Sequence, residues 1–379
     1  MGAVVIGGGL AGLSAALTLQ EAGEEVELFE ASDAVGGRVR SDFVDGYILD
    51  RGFQLINSGY PEIKRLGVIP EIEFRKASRS VDVVSPFGVT TIGDPRTHFL
   101  QALRSPLGSI REKLGVLLFL GEKPKSQRSL EESLLASGTE NFYHNLLKPF
   151  LRGVFLAELN QVDSNYAREI LKGFVVGDSG LPAAGVGTLS EALAARIEKI
   201  HLNASIENLN QFKGRKVIIA TGDSQAAHLL SATERAQHVD SYTWYHSLSA
   251  GVISSDRLRV SSTQSSLVNS LAISNVVSEY APSGKTLISS TSLAPLTDAQ
   301  VLQEISKYWR VPESDFDVIA RYEVKNSLPL FTPMGASAAT TAKVADDLYL
   351  AGDYMTAGSQ NGALLSGRLA AMELLLDQS

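Results

Sequence analysis

The chain contains no cysteine. Disulfides, thiolate metal ligands, a thiol nucleophile and a thioether-linked cofactor are therefore excluded. The absence fits a reducing compartment. Basic charge is also short: 34 Lys and Arg stand against 42 Asp and Glu, a formal net charge of −8. No basic stripe stands out, so a nucleic-acid surface is not expected. Long apolar runs are missing too. The longest after the start, Leu114 to Leu120, is far below the roughly 20 residues that cross a bilayer. The first apolar run has no basic leader of the signal-peptide kind. A cytoplasmic location is expected. No G-x-S-x-G occurs, and Ser283-Gly284-Lys285-Thr286 only imitates a phosphate loop, because Glu279 stands where the first glycine belongs. The six histidines show no close metal-ligand spacing, so no metal is expected.

The chain has 379 residues, of which 44% are apolar and 20% charged. That is ordinary globular composition with length for about two domains. Its most informative stretch is the first, MGAVVIGGGLAGLSAALTLQEAG. Ala3 to Ile6 reads as a buried strand. Gly7-Gly8-Gly9-Leu10-Ala11-Gly12 matches G-x-G-x-x-G. Leu10, Leu13, Ala16, Leu17 and Leu19 follow at helical spacing, and Gly23 stands where a helix ends. Val26 to Glu30 reads as a second strand.

Strand, glycine turn, helix and strand in that order give the glycines separate tasks. Gly7 permits the tight turn, Gly9 lets backbone approach a pyrophosphate, and Gly12 lets helix and strand pack closely. Leu10 and Ala11 open the helix, whose free N–H groups and partial positive charge suit phosphate. Glu30, 18 residues beyond Gly12, is placed to accept hydrogen bonds from a ribose diol. These features predict a dinucleotide site. Gly36-Gly37-Arg38 then brings bare backbone and a guanidinium to the same region, and arginine can donate two parallel bonds to phosphate.

The stretch LFEASDAVGGRVRS (Leu28 to Ser41) resembles the FAD-dependent amine oxidase, protoporphyrinogen oxidase and phytoene desaturase superfamily. So do KVIIATG (Lys216 to Gly222), LPAAGVGTLSEALAARI (Leu181 to Ile197) and LYLAGDYMTAGSQNGALLSGRLAA (Leu348 to Ala371). The resemblance implies an α/β fold: a Rossmann-like FAD-binding domain of the glutathione-reductase type, interleaved with an α+β substrate domain. It divides the chain into an FAD-binding domain of residues 1–75, 182–238 and 325–379 and a substrate domain of 76–181 and 239–324. It implies non-covalent FAD. Besides the residues above, it assigns cofactor contacts to Ala31, Gly52, Phe53, Ile206, Thr221, Gly222, Gly352, Asp353, Gln360, Asn361 and Ala363. Val344 to Ala351 is expected to form a strand, as is His201 to Ile206. Leu364, Leu365, Leu369, Met372 and Leu376 are expected to form the apolar stripe of the last helix.

The implied activity is dehydrogenation of a largely apolar small molecule, polyene or tetrapyrrole-like, by hydride transfer to flavin N5. A flavin-dependent isomerase without net redox and an amine oxidase remain alternatives. Amine oxidases of the family place a lysine near N5 and a tyrosine just before the last helix. Here no lysine lies between Val239 and Val260, and Ser359 holds the tyrosine position. The motifs look closer to the carotenoid desaturase and isomerase branch. Catalytic residues are not assigned. Lys325 is a candidate to face the flavin, against a solvated strand lysine, and Tyr354 to line the cavity floor, against a packed core tyrosine. Leu146 to Val162 resembles a cavity-lining segment. Residues 98–121 read as one amphipathic helix, which serves either the core or peripheral membrane contact.

Overall fold

A computed structural model describes residues 2–94, 105–124, 127–174, 176–335 and 338–377. The first strand, Ala3–Ile6, is buried along its whole length and pairs in parallel with Val26–Phe29 on one side and Val217–Ile219 on the other. A central parallel strand is covered on both faces, so it must be apolar throughout, and AVVI is. The full sheet runs, in spatial order, Ile200–His201, Val26–Phe29, Ala3–Ile6, Val217–Ile219, Leu348–Leu350 and Lys343–Ala345. Five strands are parallel and the last edge strand is antiparallel.

Two expected strands differ from those observed. Val344 to Ala351 is not continuous: Asp346 and Asp347 fold it into a hairpin, with Asp347 at φ 58°, a left-handed value that aspartate tolerates. His201 to Ile206 keeps only its first residue in a strand, Ile200–His201, because Asn203 turns at φ 54° and its N–H joins the carbonyl of Ser32.

The first helix, Leu10–Glu21, packs against the C-terminal helix, Gln360–Leu376. The expected stripe of that second helix is largely exposed: Leu369, Met372 and Leu376 face solvent. Its buried side carries Leu364, Ser366, Gly367, Ala370, Ala371 and Leu374. Small residues win this face because the two backbones approach closely. A Cβ on Gly367 would collide with the carbonyl oxygen of Ala11.

A second sheet has seven strands, ordered Asp317–Leu330, Gln237–Ser249, Lys285–Ser292, Leu267–Ala272, Leu258–Ser261, Val81–Ser85 and Gly88–Ile92. The boundaries expected at 238 and 325 therefore fall inside strands. One face of this sheet, with Tyr242, Trp244 and Leu248, packs on the helix Asp298–Trp309. The other turns toward the hairpin Ser41–Val44 and Tyr47–Asp50: Tyr245 donates to the Asp50 carbonyl at 2.8 Å, and the hydroxyls of Tyr47 and Ser247 meet at 2.7 Å.

Of the helix expected over 98–121, residues 98–104 lie outside the described part. The described helix is Ile110–Gly121, begun by a reciprocal cap between Ser109 and Glu112. The segment Leu146 to Val162 enters the helix Lys148–Phe155, which ends at Leu156 in a left-handed turn (φ 51°). Among the described residues, no helix is long and apolar enough to cross a membrane.

Candidate functional site

At the end of the first strand, Gly7 adopts φ +108°, where a side chain would be strained and its Cβ would press on Ala220. A Cβ on Gly12 would collide with the Gly7 carbonyl, so helix and turn pack as closely as the motif requires. Gly9 is different. A Cβ there would meet nothing within 4 Å, and the helix it begins has no side-chain cap. The helix start is thus uncapped by any side chain and has free room beside Gly9. An uncapped helix start beside free volume is a cradle that suits an anion.

Glu30 follows the second strand. Its Oε2 accepts from the Gly8 N–H at 2.6 Å and its Oε1 from the Ser32 N–H at 2.9 Å and the Ser32 hydroxyl at 2.6 Å. These bonds lock the carboxylate at the mouth of the cradle. Ala31 beside it is exposed. Gly36 and Gly37 turn at φ 114° and 57°, and Gly37 packs against Gly9. That turn delivers Arg38. Its guanidinium donates to Asp353 Oδ1 at 2.7 Å and to the Ser327 carbonyl at 2.6 Å. Burial acts to lower the Arg38 pKa, but the Asp353 carboxylate beside it outweighs that and holds it above the ordinary value.

The C-terminal motif meets the same place. Gln360 opens the last helix and donates to Gln54 Oε1 at 3.2 Å, while Gln54 donates to the Arg38 carbonyl at 2.7 Å. Gln360 Oε1 is buried without a partner among the described residues. Ser359, at the tyrosine position of the amine oxidases, caps the helix by accepting from the Gly362 N–H at 2.9 Å. Asn361 Oδ1 accepts from the Glu62 N–H, and the Glu62 carboxylate is clamped by Arg368 at 2.7 Å. Burial opposes ionisation of Glu62, yet Arg368 and Arg65 keep its pKa below the usual range. Ala363 is half-buried against the first helix's core.

The remaining expected contacts are spread around this seam. Gly52, at φ +94°, approaches Val324, and Phe53 packs with the Tyr47–Leu49 cluster. Ile206 is buried with Val4, Ile6 and Phe212. Thr221 and Gly222 follow the strand Val217–Ile219, and Gly222 precedes the helix Asp223–Leu230 as its cap. Gly352 is pressed against the Tyr354 ring.

The two catalytic candidates do not join the cluster. Lys325 is 63% exposed and pairs with Asp240 at 3.1 Å and Glu323 at 2.5 Å, on the side of Tyr242. That is the face turned away from Arg38. Tyr354 is buried, its hydroxyl directed to the carbonyls of Ala351 and Thr221 at 3.3 and 3.4 Å, and burial raises its pKa. It is a packed core tyrosine.

Sequence reading missed Gln54, Ser327, Glu62 and Asp50. Some have near partners in sequence, but each has at least one partner more than 100 residues away, which the order of residues does not reveal. Asp50 is fully buried, and burial pushes its pKa up to about 6 against bonds from Ser41, Val186 and Tyr280. It ties the hairpin to the start of the helix Gly187–Ala194 and to the turn Ser278–Tyr280. Asp223, Glu234 and His238 also bring one potential ligand atom each within 4.8 Å of one another, a grouping that histidine spacing did not suggest. Asp223 Oδ2 already accepts from the N–H groups of Arg235 and Ala236, which commits it to closing its own loop.

The open Gly9 cradle, the fixed Glu30 carboxylate, the Arg38–Asp353 pair and the orphaned Gln360 oxygen lie along one seam and fit a flavin dinucleotide. The family model described as flavin containing amine oxidoreductase matches residues 10–375. Protoporphyrinogen oxidase 2 of Arabidopsis thaliana is 27% identical over 175 residues, 43% of this chain and 34% of that protein. Polyamine oxidase 2 of the same plant is 42% identical over 71 residues, 17% of this chain and 14% of that protein. The matched stretches thus span about a third or less of these relatives. An oxidoreductase of Methanosarcina mazei superposes with a TM-score of 0.77 at 18% identity, covering 99% of this chain and 100% of the other. That likeness shows a shared fold.

Proposed function

Since the chain belongs to the flavin-containing amine oxidoreductase family and is an FAD-dependent oxidoreductase, we propose that it dehydrogenates a largely apolar small molecule, polyene or tetrapyrrole-like. When bound, FAD supplies the hydride acceptor. The protein's own residues do the rest. Gly7 to Gly12 and the first helix would hold the pyrophosphate, Glu30 the ribose and Asp353 the ribityl hydroxyls. Arg38 would donate to the phosphates. The start of the C-terminal helix, with its partial positive charge, favours negative charge on the pyrimidine side.

The observation that carries the apolar reading is the wall beside the Gly358–Gln360 turn. Tyr166 directs its hydroxyl to the Gly358 carbonyl at 3.4 Å and packs against Phe331, the rings tilted by 31° with centroids 4.6 Å apart. Phe150, Val154, Val239 and Leu330 join them. Such a wall excludes water and offers no countercharge to an ammonium. The test is anaerobic mixing of the FAD-loaded protein with a porphyrinogen, a polyene and primary amines. Bleaching of the visible flavin band by the porphyrinogen or the polyene is expected. Bleaching by amines alone would contradict the reading.

Peripheral membrane contact is part of the proposal on a separate observation. The helix Ile110–Gly121 leaves Ile110, Leu114, Leu117 and Leu118 more than half exposed. An apolar face of this kind suits the headgroup boundary of a bilayer. Co-sedimentation with phospholipid vesicles is expected, and L114S/L117S should reduce it several-fold. Equal co-sedimentation of the variant would remove this face from the account.

A further inference from the structure

Three polar side chains stand in one row across the seven-stranded sheet. Thr243 is paired directly with Thr291, and Thr291 with Asn269, on adjacent strands. Directly paired residues share a face, and neighbouring strands lie about 4.8 Å apart. The row is therefore about 10 Å long. Its members are 0%, 2% and 4% exposed. Thr243 Oγ1, Thr291 Oγ1 and Asn269 Oδ1 are all buried with no hydrogen-bond partner among the described residues. The Asn269 amide nitrogen lies against Gly153 of the helix Lys148–Phe155, where a Cβ would come within 3.0 Å.

Buried polar atoms are nearly always paired. The opposite face of the same strands shows the ordinary outcome. There Ser270 and Ser290 share a bond at 2.8 Å, Trp309 donates to Ser270 at 2.8 Å, and Trp244 donates to Asp298 at 3.2 Å. Among the described residues, His246 on that opposite face also has unpartnered ring nitrogens, but the three adjacent unpaired side chains stand together on the face turned toward the Arg38 cluster. Two residues before Thr243 on that face, the Ser241 hydroxyl meets the Ser327 hydroxyl at 2.6 Å, and the Ser327 carbonyl receives Arg38. The row thus lies about one pleat, roughly 7 Å, from the flavin-binding seam.

We propose that Thr243, Thr291 and Asn269 form a substrate subsite that recognises an uncharged oxygen-bearing group, a carbonyl, hydroxyl or amide, at one end of the molecule. The inference rests on the reading of an apolar substrate at this seam and adds its polar end. A hydroxyl both donates and accepts, and an amide oxygen accepts, so the row matches neutral groups of either kind. Its immediate neighbours on the face, Ser241, Tyr245, Ser289, Leu271 and Tyr322, carry no ionised group. A carboxylate or an ammonium brought there would lose its water without meeting a countercharge.

The test uses the full-length FAD-loaded protein and four C15 probes: farnesol, farnesal, farnesoate and farnesylamine. Dissociation constants come from perturbation of the flavin's visible spectrum. Farnesol and farnesal are expected to bind at least about tenfold more tightly than the charged pair, as one or two neutral hydrogen bonds would give. T243V/T291V keeps shape and removes both hydroxyls. It should lose about tenfold for the neutral probes, leave the charged ones unchanged, and retain its FAD. Its melting temperature should equal or exceed that of the parent, because replacing an unpaired buried hydroxyl with a methyl removes a desolvation cost. T291V alone, with a smaller loss, serves if the double variant is poorly folded. Equal binding of all four probes, or a variant that keeps the preference for neutral probes, overturns the subsite while the apolar reading stands. If no probe perturbs the flavin of a protein that holds FAD, the apolar reading fails and the subsite with it.

Discussion

Glu30 shows how much a single side chain does at this site. Its two oxygens accept backbone and hydroxyl bonds from Gly8 and Ser32, so its carboxylate is fixed before any ribose arrives. Glu30→Ala should weaken FAD binding about 10- to 100-fold, the worth of one or two charge-assisted bonds. Titration of the apoprotein with FAD measures this; unchanged affinity would dissociate Glu30 from the ribose. Two buried titrating residues predict opposite effects of pH. His246 is fully buried, both its ring nitrogens lack partners among the described residues, and burial lowers its pKa to about 4. Its neutral form favours folding above the ordinary value of about 6.5, and that contribution is lost as pH falls toward 4. Asp50, raised to about 6, favours folding at low pH, and its contribution is lost as pH rises through about 6. The two partly cancel between about pH 4 and 6. His246→Phe should therefore remove about 2 kcal/mol of destabilisation at pH 5 while changing little of the pH-dependent part at pH 7.5. Asp50→Asn should make stability rise more steeply over the same range. Denaturant unfolding across pH would contradict this if both variants kept the parent's slope.

The element scale explains which parts of the fold were legible in the sequence. The first strand, glycine turn and helix were legible because local demands dictate them: apolar residues for a doubly covered strand, bare backbone at a tight turn. The start of the last helix was legible from its motif. Its buried face was not. Leucines at helical spacing suggested the stripe, but contact with the first helix selects Gly367, Ala370 and Ala371, and no sequence period reveals which neighbour will come close. Gly367→Ala should accordingly separate the two helices and destabilise the protein by several kcal/mol, as overpacking of a core does. A melting temperature within a degree or two of the parent's would refute that contact. The edge hairpin at Asp346 and Asp347 was missed although the two aspartates, disfavoured in strands and tolerant of a left-handed turn, carried the signal for it. Lys325 takes the solvated-strand alternative for a related reason. Strand alternation alone does not tell which face looks at the flavin, and the ion pairs with Asp240 and Glu323 place it on the other.

At the scale of the whole molecule, three distant segments converge on one seam. The first 60 residues supply the cradle, Glu30, Arg38 and Gln54; the strand Asp317–Leu330 supplies the Ser327 carbonyl; the last 30 supply Asp353 and Gln360. Cofactor binding therefore ties both chain ends together, and saturating FAD should stabilise the folded state, by about 2.7 kcal/mol at a hundredfold excess over its dissociation constant. The site's nucleotide end was legible because its motif is local. Its flavin and substrate ends depend on sheet faces brought together by folding, so the Thr243–Thr291–Asn269 row had no signal in the order of residues, and Gln54 and Ser327, though neighbours of the expected contacts Gly52, Phe53 and Lys325, were not singled out. The most direct test of the central claim is the visible absorption spectrum of the purified protein, followed by identification of what acid releases from it. Two bands, in the blue and the near ultraviolet, with free FAD in the supernatant are predicted. A colourless protein that stays colourless after incubation with FAD would contradict the account at its base.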